Sequence, residues 1–71
     1  MTYSVILPTL NEKGHIIELI KKIRDIFTKN NLVFEIIIVD DNSSDGTIAI
    51  VENFIKNNSF VRLHVRKDKR S

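Results

Sequence analysis

The 71-residue sequence predicts an α/β fold: a Rossmann-like β-α-β-α-β unit with a parallel three-stranded sheet. Three observations predict it. The hydrophobic pattern switches repeatedly between strand-like runs and a helical period. The central run FEIIIV, Phe34–Val39, is almost wholly apolar, as in strands of parallel sheets covered on both faces. Each stretch between strand runs is long enough to hold a helix, which makes the strands parallel. Hydrophobic residues make up 42% and charged residues 28%, with two Gly and one Pro, a globular composition rather than a disordered or collagen-like one.

The elements follow in order. Tyr3–Leu7 (YSVIL) is β-branched and apolar, and Pro8 is expected to end the run. Residues 15–27 place Ile16, Ile20, Ile23 and Phe27 on one helical stripe, with Leu19 and Ile26 beside it. Lys21, Lys22, Arg24 and Asp25 fall opposite. Asn11 is the expected N-cap, with Glu12 favouring the positive helix end. Lys29-Asn30-Asn31 reads as the stop, since Asn tolerates the left-handed conformation. Phe34–Val39 is the second strand, and Asp40–Gly46 (DDNSSDG) is turn chemistry. Residues 47–57 return to helical spacing through Ile48, Val51, Phe54 and Ile55, with Ser43 or Ser44 as cap. Asn57-Asn58-Ser59 breaks that helix, and Phe60–Val65 reads as the third strand. Two helices on three strands leave one face or edge poorly covered, so the sequence reads as the opening of a larger domain. The exposed third strand invites self-association by edge pairing.

Several function classes are excluded at once. There are no cysteines, hence no disulfide, zinc knuckle or thiol catalysis. No run of 18 apolar residues exists to cross a membrane, and no secretory signal fits the start; a cytoplasmic location is expected. The net charge of +2 is a tail effect. Residues 66–71 hold four basic side chains and one acidic, +3, and the other 65 hold seven basic and eight acidic, −1. A basic face for nucleic acid is therefore not supported. The Gly pattern of a dinucleotide fingerprint and a phosphate loop are both missing. His15 and His64 are isolated, and no serine lies in a nucleophile elbow.

In a parallel sheet, ligands bind beyond the carboxyl ends of the strands. Two loops fall there, Pro8–Gly14 and Asp40–Gly46. Asp40 and Asp41 close the second strand. Either they are turn residues, or they accept hydrogen bonds from a nucleobase or ribose, or they hold a hard cation. Asp45 before Gly46 reads as support for the second helix's start. Arg66–Arg70 is a solvated charged segment on its own, or a phosphate contact if the chain continues.

The strings SVILPTLNEKG and EIIIVDDNSSDGT closely resemble the opening of family 2 glycosyltransferases with a GT-A fold. They are most similar to the dolichyl- or polyprenyl-phosphate mannose synthase branch. The resemblance spans roughly residues 3–70. It implies that residues 1–71 are part of a GT-A nucleotide-binding domain, truncated before the family's Asp-x-Asp metal motif. It further implies a sugar nucleotide donor, GDP- or UDP-linked, with transfer to a lipid-phosphate or saccharide acceptor. Such work places the protein in the cytoplasm, at the cytoplasmic face of a membrane for the lipid-phosphate branch. Carried over by position, Pro8, Leu10 and Glu12 line the nucleotide pocket from the first loop, and Val39 and Asp41 from the second, with Asp41 accepting from the base. Leu10 departs from the family's usual Tyr and offers apolar contact without stacking, so altered base recognition is expected. The family's Mg²⁺ or Mn²⁺ neutralises the leaving diphosphate, and its ligands are not in this chain; neither is a catalytic residue. These 71 residues are therefore expected to bind and not to transfer. Two other classes compete. One is a non-catalytic nucleotide- or partner-binding module. The other is a phosphoryl-accepting acidic site, which lacks the separate Asp it needs at the end of the first or third strand.

Overall fold

The computed structural model describes residues 2–67. The order is β1 (Thr2–Thr9), α1 (Ile16–Lys29), β2 (Val33–Asp40), α2 (Thr47–Ile55) and β3 (Val61–Val65). The strands form one parallel sheet in the order β1-β2-β3, as the sequence predicts. Thr2 pairs with Val33 and Thr9 with Asp40 on one side of β2; Ile36 pairs with Val61 and Asp40 with Val65 on the other. The register brings the carboxyl ends of all three strands level.

Side chains alternate across the sheet. Val5, Leu7, Ile36, Ile38, Val61 and Leu63 share the face that packs on the helices. Ile16 and Ile20 of α1 and Val51 of α2 complete the buried core. Burial of each such aliphatic side chain contributes about 1.5–3 kcal/mol. Among the described residues no helix covers the opposite face. There Ile6 lies 56% exposed against a half-buried Ile37, its partner in register. Beside them Glu35 accepts from the Ser4 hydroxyl at 2.6 Å and pairs with Arg62 at 3.6 Å.

Four local expectations change. Pro8 does not end β1, which runs on to Thr9. β1 is an edge strand, and the Thr9 carbonyl accepts from Asp41 N–H at 2.9 Å. In a parallel ladder neighbouring residues point their backbone groups to opposite sides, so Pro8 meets no partner that needs an N–H. Asn11 is not the N-cap of α1. It adopts φ 52°, and the helix starts after His15, beyond a turn in which the Glu12 carbonyl accepts from His15 and Ile16. Glu12 thus precedes the helix, and Glu18 is the acid of its first turn. Neither Ser43 nor Ser44 caps α2; Gly46 does, at φ 99°, a conformation that strains any L side chain. Finally, α2 ends at Ile55 and β3 begins at Val61, each slightly inside its expected range. Lys29 is still helical, and the stop of α1 falls on the two asparagines: Asn31 is left-handed at φ 58°, and the Asn30 amide donates to the Ile26 carbonyl at 2.7 Å. Of the basic run 66–70, residues 68–70 lie outside the described residues.

Candidate functional site

A cavity of about 340 Å³ opens at the carboxyl end of the sheet. That falls within the size range of small-molecule pockets. Pro8, Thr9, Leu10, Glu12, Val39, Asp41 and Arg66 line it. All five residues named from the sequence, Pro8, Leu10, Glu12, Val39 and Asp41, therefore meet around one space. Pro8 and Val39 are paired in register on the uncovered sheet face and form an apolar floor. Leu10 and Glu12 rise from the first loop and Asp41 from the second, all exposed. The same cavity is lined by Arg66, the first residue of the basic run that reads in sequence as a solvated segment or as a phosphate contact. Its backbone N–H donates to the Asp40 carbonyl at 2.7 Å and carries the β3 ladder one residue past the strand. The signal that finds it is positional: Arg66 is the first residue beyond the third strand. The cavity thus presents two carboxylates and one guanidinium over an aliphatic floor. Another concavity, about 300 Å³ between α1 and α2, is lined by Ile17, Ala49, Ile50, Asn53 and Phe54, with no titratable group.

The other polar residues of the two loops do not line the cavity; among them Asn11, Lys13, Ser43, Ser44 and Asp45 join the loops to each other. Asn11 N–H donates to Ser43 Oγ at 2.7 Å, and Ser44 N–H donates to Asn11 Oδ1 at 2.9 Å. Lys13 N–H donates to Asp45 Oδ2 at 3.1 Å, while Asp45 Oδ1 accepts from the N–H and hydroxyl of Thr47 at the start of α2. Asp45 is thus the helix-start residue the sequence suggests. The Thr47 hydroxyl, then the two N–H donors, hold its carboxyl below the usual range against the opposing effect of desolvation.

Asp40 and Asp41 are adjacent and differ in environment. Asp41 faces the cavity. Asp40 is wholly buried and accepts from Thr9 Oγ1 at 2.5 Å, Ser43 Oγ at 2.7 Å and Ser43 N–H at 2.6 Å. Burial alone would raise its pKa, and the Asp45 charge acts the same way. The hydrogen bonds from Ser43 and Thr9 outweigh both and hold it lowered. Among the described residues no three His, Cys, Asp or Glu side chains are placed around one point.

Residues 4–71 match the family model "Glycosyl transferase family 2". Curated relatives include the poly(ribitol-phosphate) beta-N-acetylglucosaminyltransferase TarS of Staphylococcus aureus strains Mu50 and MW2. Each is 42% identical over 55 residues, 76% of this chain and 9% of the relative. The chain therefore spans about a tenth of the length of these relatives. No solved structure matches it. No helix among the described residues is long and apolar enough to cross a membrane.

Proposed function

This chain belongs to glycosyl transferase family 2, and on that premise we propose that residues 1–71 form the first, nucleotide-binding part of a GT-A domain. The cavity takes a GDP- or UDP-sugar. Asp41 and Glu12 accept from the base N–H and the ribose hydroxyls, since ionised carboxylates only accept. Pro8, Val39 and Leu10 supply apolar contact. Arg66 faces the charge of the diphosphate, which a guanidinium can engage with two hydrogen bonds. The observation that carries this reading is the cavity itself. Residues from two loops about thirty positions apart, and one beyond β3, converge at the carboxyl ends of parallel strands.

The whole protein then transfers the sugar to an acceptor. A lipid phosphate is the acceptor if the protein follows the dolichyl- or polyprenyl-phosphate mannose synthase branch, and work at the cytoplasmic face of a membrane follows from that. A saccharide or polyol-phosphate polymer is the other choice. The names of the staphylococcal relatives, which act on poly(ribitol-phosphate), support it. Mg²⁺ or Mn²⁺ belongs to residues outside this chain, as does the chemical step. A non-catalytic module that binds a nucleotide or a partner is the second reading, supported by the pocket that the two loops form with residues of this segment alone. Detection of sugar-nucleotide hydrolysis or transfer in a longer chain carrying this segment separates the two.

Titration calorimetry with GDP and UDP tests the pocket. Binding of one of them is expected, and Asp41→Ala weakens it about tenfold or more, the effect of losing a hydrogen bond to a charged group. The melting temperature stays unchanged, because the Asp41 side chain is exposed. Absence of heat with either nucleotide, or unchanged affinity in the variant, rejects the reading.

A further inference from the structure

Asp40 is the only fully buried ionisable residue among those described, and it does not line the cavity. Its contacts nonetheless reach both sides of Leu10. Thr9, immediately before Leu10, donates its hydroxyl to Asp40 Oδ1. Ser43 donates its hydroxyl to the same oxygen and its N–H to Oδ2. A serine hydroxyl has one proton. With that proton given to Asp40, its lone pairs are left for the N–H of Asn11, immediately after Leu10, at 2.7 Å. Asn11 sits at φ 52°, which a non-glycine residue adopts only at some cost. The bond from Ser43 offsets that cost and specifies the conformation.

We propose that Asp40 is the positioning residue of the pocket. Directly through Thr9 and by relay through Ser43 and Asn11, one carboxylate sets where Leu10 and Glu12 stand opposite Asp41. The effect on affinity rests on the nucleotide reading above; the effect on loop geometry does not. Asparagine cannot replace Asp40 here. If its amide nitrogen takes the Oδ2 place, it faces the Ser43 N–H, donor against donor. If it takes the Oδ1 place, the two hydroxyls must turn away, and the Ser43 hydroxyl can no longer point its proton inward.

The test uses Asp40→Asn, Ser43→Ala and Ser43→Thr, each well below its melting temperature. Two quantities are read: the Leu10–Glu12 amide resonances of the ligand-free chain, and the Kd for whichever of GDP and UDP the wild type binds. Asp40→Asn and Ser43→Ala are expected to move the Leu10–Glu12 amides and to weaken binding about tenfold. Ser43→Thr, which keeps the hydroxyl, restores both. A purely stabilising role would lower the melting temperature while leaving the Leu10 and Glu12 amides and the Kd in place, and that result overturns the proposal. If Asp40→Asn does not fold, the Ala/Thr pair at Ser43 decides alone. If the wild type binds neither nucleotide, the pocket reading fails. The Leu10 and Glu12 amides, neither bonded to Ser43, then decide this one: displaced in Ser43→Ala and restored in Ser43→Thr supports it, and unmoved resonances overturn it.

Discussion

The two ends of the sheet are held by different physics. At the amino end all five aromatic residues of the chain gather. Tyr3 meets Phe27, Phe27 meets Phe34, Phe34 meets Phe60, and Phe60 meets Phe54, with ring centroids 5.2–6.2 Å apart. At the carboxyl end there is no aromatic side chain. Asn11 and Lys13 join Ser43, Ser44 and Asp45 by directional hydrogen bonds between the loops, and Asp40 and Thr47 brace the second loop from its two ends. Apolar contact scales with area and tolerates exchange of one large side chain for another. Hydrogen bonds tolerate neither a changed angle nor a missing partner. The difference separates stability from placement: the amino end keeps the chain folded, and the carboxyl end sets atoms to within the tolerance a ligand requires.

The largest expected effect strikes the amino end. Phe34→Ala removes the centre of the aromatic row and costs about 3–5 kcal/mol. A core this small supplies only about 3–5 kcal/mol in all. The variant is expected to be largely unfolded at room temperature, read by loss of helical circular dichroism. Phe34→Leu should fold and leave nucleotide affinity alone, because the pocket is at the other end. A Phe34→Leu chain that folds but binds differently would break the comparison.

Acid acts on the carboxyl end. The folded pKa of Asp40 lies below its ordinary value, as does that of Asp45. A depressed carboxylate stabilises the fold above its unfolded pKa, about 3.9, and the contribution is lost as pH falls through the folded value. Stability should therefore be level in this respect from pH 7 to about 5 and fall below about 4. Chemical denaturation across that range checks it, and Asp40→Asn should flatten the acid limb.

A smaller change is expected from Asp45→Ala. It frees the N–H groups of Lys13 and Thr47, lowering the melting temperature slightly and speeding amide exchange at those two positions. The smallest comes from Arg24→Ala, which breaks the exposed pair with Asp25 at 3.0 Å. Such pairs contribute about 0–1 kcal/mol, and no change in binding should accompany it.

Most of the architecture was legible in the sequence because it follows from pattern. The stripe Ile16, Ile20, Ile23, Phe27 and the run Phe34–Val39 are periodic, and burial rewards periodicity directly. The pocket residues were legible through the two loop strings rather than through any physical pattern in them. Asn11 was misplaced as a helix cap. Its partners Ser43 and Ser44 are more than thirty residues away, and a local reading assigns such a side chain to its nearest free N–H. Arg66 is not distinguishable in sequence within the run 66–70, which reads as solvated or as a phosphate contact if the chain continues, because only strand pairing brings it beside Leu10 and Asp41.

The sequence by itself determined the order and type of the five elements, the helix-facing core and the two loops at the carboxyl ends. Each of these depends on the spacing of apolar residues or on turn chemistry within a few positions. Tertiary structure alone decided that Asp40, beside the Asp41 that the loop strings already imply for the pocket, is wholly buried, and which groups surround it. The alternation of β2 turns Asp40 onto the helix-covered face, while Asp41 begins the loop. Their identical side chains then differ only in the donors that the neighbouring strand and loop bring to them.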